Sequence, residues 1–145
     1  MNASELNLIL WEEQPLEAKD SFQPQLPNPA TADLFIMLLW QRMGTPLPDD
    51  AIPAPYTGPL TGTEYEFLAA QDAQQAKGKP AVMVYRRMDT AGKRAQSVNA
   101  FFAEHFTDQQ QRLSKAYHQY ATVSEFESLL EHHLHRWLDS HLPML

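Results

Sequence analysis

Residues 34–40 read LFIMLLW, seven apolar residues in succession, directly after Asp33. A run of this length is too short for a buried helix of ordinary size and far too short to cross a bilayer, which takes about 20 residues. It fits a strand. Because apolar residues fill both parities of the pleat, burial on both faces is expected, as in a parallel sheet covered by helices. A second run, Ala81–Tyr85 (AVMVY), has the same character. Between them Thr63–Lys77 carries Tyr65, Leu68, Ala69, Ala73 and Ala76 at helical spacing, with small alanines that allow close approach to a sheet, and Gly78 to stop the helix. Two buried strands joined through a helix form a parallel crossover unit.

The rest of the chain extends this order. Leu6–Trp11 (LNLILW) reads as a further buried strand. Residues 12–29 carry prolines at 15, 24, 27 and 29 and exclude a continuous helix. Residues 41–60 hold five prolines and two glycines, a loop long enough to suggest a functional or mobile segment. Lys93–Phe106 reads as a helix with Val98, Phe101, Phe102 and Phe106 on one side. Residues 108–115 read as a polar loop and 116–120 as a short extended piece. Thr122 and Glu125 have capping-box spacing and open a last helix whose stripe is Phe126, Leu129, Leu130, Leu134, Trp137 and Leu138, with Pro143 as its stop. The expected fold is a single α/β domain over residues 1–145: an open, mostly parallel sheet with helices on both faces.

Composition narrows the function. A formal charge of −7 repels a phosphate backbone and argues against a broad nucleic-acid interface. With no cysteine there is no disulfide scaffold, thiolate metal site or cysteine nucleophile. The N-terminal residues lack a basic start and a small-residue cleavage site, so a cytoplasmic protein without a membrane segment is expected. No GxSxG, GxxxxGK[ST] or GxGxxG occurs, which removes the main support for serine hydrolases, P-loop NTPases and ordinary dinucleotide dehydrogenases. His132, His133 and His135 fall in EHHLHRW, with His132 and His135 one helical turn apart, but without an HExxH pattern or a further ligand set all three read as the polar side of the last helix, and no resident metal or cofactor is expected.

In open parallel sheets ligands bind beyond the carboxyl ends of the strands. Trp40-Gln41-Arg42 and Tyr85-Arg86-Arg87 are those ends here, and Gly62-Thr63-Glu64-Tyr65-Glu66 opens the helix that follows the first. Glu64 has capping-box spacing with Thr61, and Glu66 with Thr63, so each acid has a structural reading beside any chemical one. Arg42, Arg86 and Arg87 suit phosphate binding, or pairing with Asp33, Asp89 and the helix-start acids. Trp40 suits stacking on a base, or filling the core.

ADLFIMLLWQRMGTPLP, TGTEYEF, GKPAVMVYRR and YATVSEFESLLEHHLHRWL together resemble a TIR-like domain, of the bacterial branch found at the N-terminus of large NTPase or repeat-containing conflict proteins. The likeness covers residues 6–138. It implies a flavodoxin-like sheet and either cleavage of the glycosidic bond of NAD by one glutamate near a helix start, or self-association. Related nucleoside deoxyribosyltransferases carry Gly-Thr-x-x-Glu followed by Gly-Lys-Pro, patterns on which Gly62, Thr63 and Glu66, then Gly78, Lys79 and Pro80, fall. By that resemblance Glu66 is the catalytic acid, Trp40, Arg42, Thr63 and Arg86 contact the nucleotide, the 41–60 loop is a lid, and NAD is a substrate. The family normally opens with a Phe/Ser-rich strand and an acidic-basic helix, whereas this chain starts at what looks like the second strand. An N-terminally truncated domain is therefore expected, completed by self-association or by a partner supplying a strand. The alternative to an enzyme is a non-catalytic adaptor of a defence or signalling protein.

Overall fold

The computed structural model describes residues 28–41, 43, 46–88, 96–110 and 112–141. The expected strand Leu6–Trp11, Arg42 and the terminating Pro143 lie outside them. The described elements are β1 (Leu34–Leu39), α1 (Gly62–Lys77), β2 (Ala81–Arg87), α2 (Gln96–His105), β3 (His118–Tyr120) and α3 (Val123–His141), preceded by a short 3-10 turn at Pro29–Thr31. The strands form one sheet in the order β1-β2-β3. Both pairings are parallel, Leu34 to Leu39 lying opposite Ala81 to Arg86 and Tyr85 to Arg87 opposite His118 to Tyr120. This is the open α/β sheet that the apolar runs predict.

The strand parity assigns the faces. Met37 and Leu39 of β1 and Val84 of β2 point to one side, where they meet Phe67 of α1 and Val98, Phe101 and Phe102 of α2, with Met43 and Phe106 completing the core. Phe67 is 1% exposed and its ring lies 5.1 Å from Phe101 and 5.5 Å from Phe106. Gly78 ends α1 in the left-handed region at φ +79, its N–H donating to the Gln74 carbonyl at 2.8 Å, a conformation that glycine adopts without a Cβ penalty.

The other face differs from expectation. Leu38 is 53% exposed and Trp40 40%, so β1 is not buried on both sides. The helix available to cover it, α3, lies instead over β2 and β3. Tyr85 is fully buried there, with the rings of Phe126, His118 and His133 at 5.3, 5.2 and 5.8 Å. Trp40 is accordingly not core: the Arg87 guanidinium stands 4.2 Å above its ring. α3 starts at the expected box, the Glu125 N–H donating to Thr122 Oγ1 at 3.1 Å and the Thr122 N–H to Glu125 Oε2 at 3.0 Å. Its stripe is only half buried, and no residue of α3 is fully enclosed.

His133 belongs to the packed side of α3, not to its polar side. Its Nδ1 lies 2.7 Å from the Tyr85 hydroxyl, and its ring stands 4.1 Å from that of His118. Burial first, then the neighbouring His118 and His132, pushes its pKa below the ordinary value. The unfolded chain, where histidine titrates near 6.5, therefore takes up a proton more readily than the folded one. Stability from this site is complete above about pH 6.5 and declines as pH falls below it. Thermal melts from pH 8 to 5 are expected to show this fall, with a smaller one in His133→Gln, which keeps a polar group near Tyr85 without titrating. An equal fall in both proteins contradicts the assignment.

Candidate functional site

The carboxyl end of β1 leads through Trp40, Gln41 and Met43 into the 46–60 segment, and this segment returns to start α1. The Leu47 N–H donates to the Leu60 carbonyl at 2.8 Å, and Pro46 bridges to Thr61. Between these closures Leu47, Ile52 and Tyr56 pack on Tyr65 and Ala69 of α1 as a second small apolar cluster. The Tyr56 hydroxyl donates to Asp72 Oδ2 at 2.6 Å, and the Tyr56 and Tyr65 rings meet edge to face at 5.7 Å. Burial, then the bond to Asp72 and its charge, raises the Tyr56 hydroxyl well above the usual tyrosine range, so it stays a donor. The segment expected to act as a lid is fastened along the outer side of α1.

The start of α1 decides between the two acids. Thr61 is the N-cap: Glu64 N–H donates to its Oγ1 at 3.1 Å, and Thr61 N–H donates back to Glu64 Oε1 at 3.3 Å. Glu64 thus occupies the capping box that its spacing predicts. The competing Thr63–Glu66 box does not form, because the helix begins at Gly62, one residue earlier than expected. Thr63 sits inside the first turn and is half buried. Glu66, also half buried, is two residues beyond Glu64 and so about 200° round the helix from it. It lies on the side shared with buried Gly62, Ala70 and Ala73. The hydroxyl of neighbouring Tyr65 is raised, first by burial and then by the Glu66 charge.

The remaining candidates are dispersed. Trp40 lies under Arg87 on the α3 side of the sheet. Arg86 points to the opposite side, with its guanidinium 4.4 Å above the Phe102 ring and hydrogen-bonded to Asn99 Oδ1. The arginines at the end of β2 therefore rest on aromatic rings, which their sequence context did not indicate. A cleft of about 260 Å³ lies on another side of α1, between Gln71, Gln74 and Gln75, the apolar floor of Phe67, Val82, Val84 and Phe106, and Lys115 and Ala116; none of the predicted site residues lines it.

No family model matches the chain, and neither a curated protein nor a solved structure matches it. Among the described residues no helix is long and apolar enough to cross a membrane. The residue that sequence reasoning missed most clearly is His133. Phe126, Leu130, His133 and Trp137 follow one another at steps of four, three and four, so helical register alone places this histidine on the apolar stripe.

Proposed function

We propose that this chain is a TIR-like module that binds a nicotinamide dinucleotide, or a related nucleotide, at the carboxyl ends of its strands and cleaves the glycosidic bond with Glu66. The observation that carries this reading is the capping box at the head of α1. Thr61 and Glu64 form it, which turns the second acid of the turn, Glu66, about 200° round the helix from the cap. A half-buried carboxylate on the first turns of the helix that follows β1 has the place and the chemistry for this reaction.

As the C1′–N bond to nicotinamide breaks, its electron pair moves to the pyridine nitrogen and positive charge develops on the ribose ring. A carboxylate beside C1′ lowers the energy of that oxocarbenium-like state, or adds to it covalently. Water then supplies the new C1′–O bond and loses a proton. Thr63, Trp40, Arg42 and Arg86 provide the nucleotide contacts in this reading, Trp40 after leaving Arg87 and swinging past the strand tip from the α3 side of the sheet. Arg86 has to leave Asn99 and Phe102 to do so. The test is nicotinamide release from NAD, followed chromatographically with the purified protein both dilute and clustered.

A second reading, a non-catalytic self-associating adaptor, is favoured by one observation. β1 is an edge of the described sheet, and its outer face presents Leu38 and Trp40 to solvent. Exposed edges and apolar faces of this kind invite pairing. Light scattering across a dilution series is expected to show a mass that grows with concentration and a loss of that growth in Leu38→Lys. A monomer at every concentration removes this reading.

A further inference from the structure

Two carboxylates and an imidazole from separate helices meet beside the first turn of α1. Glu64, Glu104 and His105 each bring a ligand atom within 4.8 Å of the other two. Glu104 and His105 are neighbours at the end of α2, whereas Glu64 stands near the start of α1, so packing between the two helices creates the cluster. The contact that does so is the Phe67 ring, 5.1 Å from Phe101 and 5.6 Å from His105.

The surroundings are unequal on the two sides. The imidazole of His105 lies against Phe67 and Phe101, 4.9 Å from the latter, and its side chain is 17% exposed. Glu104 opposite it is 71% exposed, which leaves a path from solvent. The carboxylate of Glu64 is oriented by the Thr61 N–H on its Oε1, which is how second-shell donors set the direction of a ligating group. The contact of His105 Nε2 with Glu104 Oε2 at 3.8 Å accounts for two of the three groups, and the cap accounts for one oxygen of the third. A cation held among the three groups would offset the like charge of the two carboxylates.

We propose that Glu64, Glu104 and His105 form a binding site for a divalent cation of the zinc class. Three donors about 2.0–2.2 Å from an ion stand roughly 3.4 Å apart in tetrahedral geometry, within reach of small side-chain rotations from the observed separations. One imidazole with two carboxylates suits zinc and its neighbours better than calcium, which takes oxygen ligands only. The fourth position is left to water. The ion ties the first turn of α1 to the last turn of α2, two residues from Glu66. This proposal does not rest on the glycosidic-cleavage reading, and its test needs no activity.

The probe is zinc chloride, titrated calorimetrically into untagged protein carrying His132→Ala and His135→Ala, which removes the competing pair of exposed histidines on α3. Cobalt chloride serves as a spectroscopic stand-in, reporting low-symmetry coordination by visible absorption. One ion per chain is expected, with affinity falling about tenfold or more in Glu104→Gln and in Glu64→Gln. Glutamine still serves a capping box at position 64, so that variant separates the ligand from the cap, and Glu104 is exposed enough to replace without loss of fold. Absence of binding, or binding whose affinity is unchanged in both glutamine variants, overturns the proposal, the second by placing the ion elsewhere.

Discussion

Glu66→Gln is expected to release nicotinamide from NAD about 10²–10³-fold more slowly than the parent chain, the loss typical of removing one group that stabilises transition-state charge. Glutamine keeps the size of the side chain and removes its negative charge. The fall should therefore appear in the rate at saturating NAD more than in the affinity for it. Glu64→Gln, assayed alongside the parent in excess EDTA so that no cation is held at that residue, is the matched control. It lies in the same turn, serves the cap of α1, and should leave the rate within a few-fold. If parent and Glu66→Gln are equally silent when dilute and when clustered, the enzymatic reading is wrong. If both glutamine variants lose activity alike, the effect belongs to the helix start and not to position 66.

Phe67→Ala is expected to destabilise the domain by about 3–5 kcal/mol, the range for truncating a fully buried phenylalanine. The side chain is 1% exposed and touches Phe101, Phe106 and His105. It is where α1 meets α2 and both meet the sheet, so its loss opens a cavity lined by side chains from different elements that cannot collapse together. For a domain of this size the melting temperature should drop by roughly 10 °C, at about 2–4 °C per kcal/mol. Phe67→Leu, which keeps most of the volume, should cost much less. A melt of Phe67→Ala within a degree or two of the parent would mean that the core does not depend on this contact.

The sheet and its helices were legible because their signals are local. LFIMLLW and AVMVY are apolar at every position, Gly78 follows the last helical residue, and Thr122-x-x-Glu125 opens α3 as its spacing predicts. Thr61-x-x-Glu64 was legible too, although Thr63-x-x-Glu66 offered the same pattern. Which box forms depends on where the 46–60 segment delivers the chain, and the Leu47–Leu60 and Pro46–Thr61 contacts decide that. The exposure of Leu38 and Trp40 was not legible, because a strand's sequence states what its faces tolerate and not which helix crosses them. Tyr56–Asp72 and Tyr85–His133 were missed for a related reason: each joins residues far apart in sequence through one polar atom, and neither leaves a periodic trace. For Trp40, Thr63, Glu66 and Arg86 sequence offered residue types near strand ends. The folded chain distributes them over both faces of the sheet and the helix above it.

The parallel register has a consequence for how the domain is assembled. Leu34 finds Ala81 only after the whole of the 46–60 segment and α1 has been threaded between them, and Tyr85 finds His118 only after α2. Neither strand pair of the described sheet can close as a hairpin, so the entropy of closing long loops is spent before the ladder hydrogen bonds are gained. Packing of α1 onto both strands joins residues distant in sequence, so φ-values for conservative substitutions at Phe67, Val84 and Met37 are expected to exceed those along α3. α3 has no enclosed residue and is fastened to β2 through the Tyr85–His133 contact.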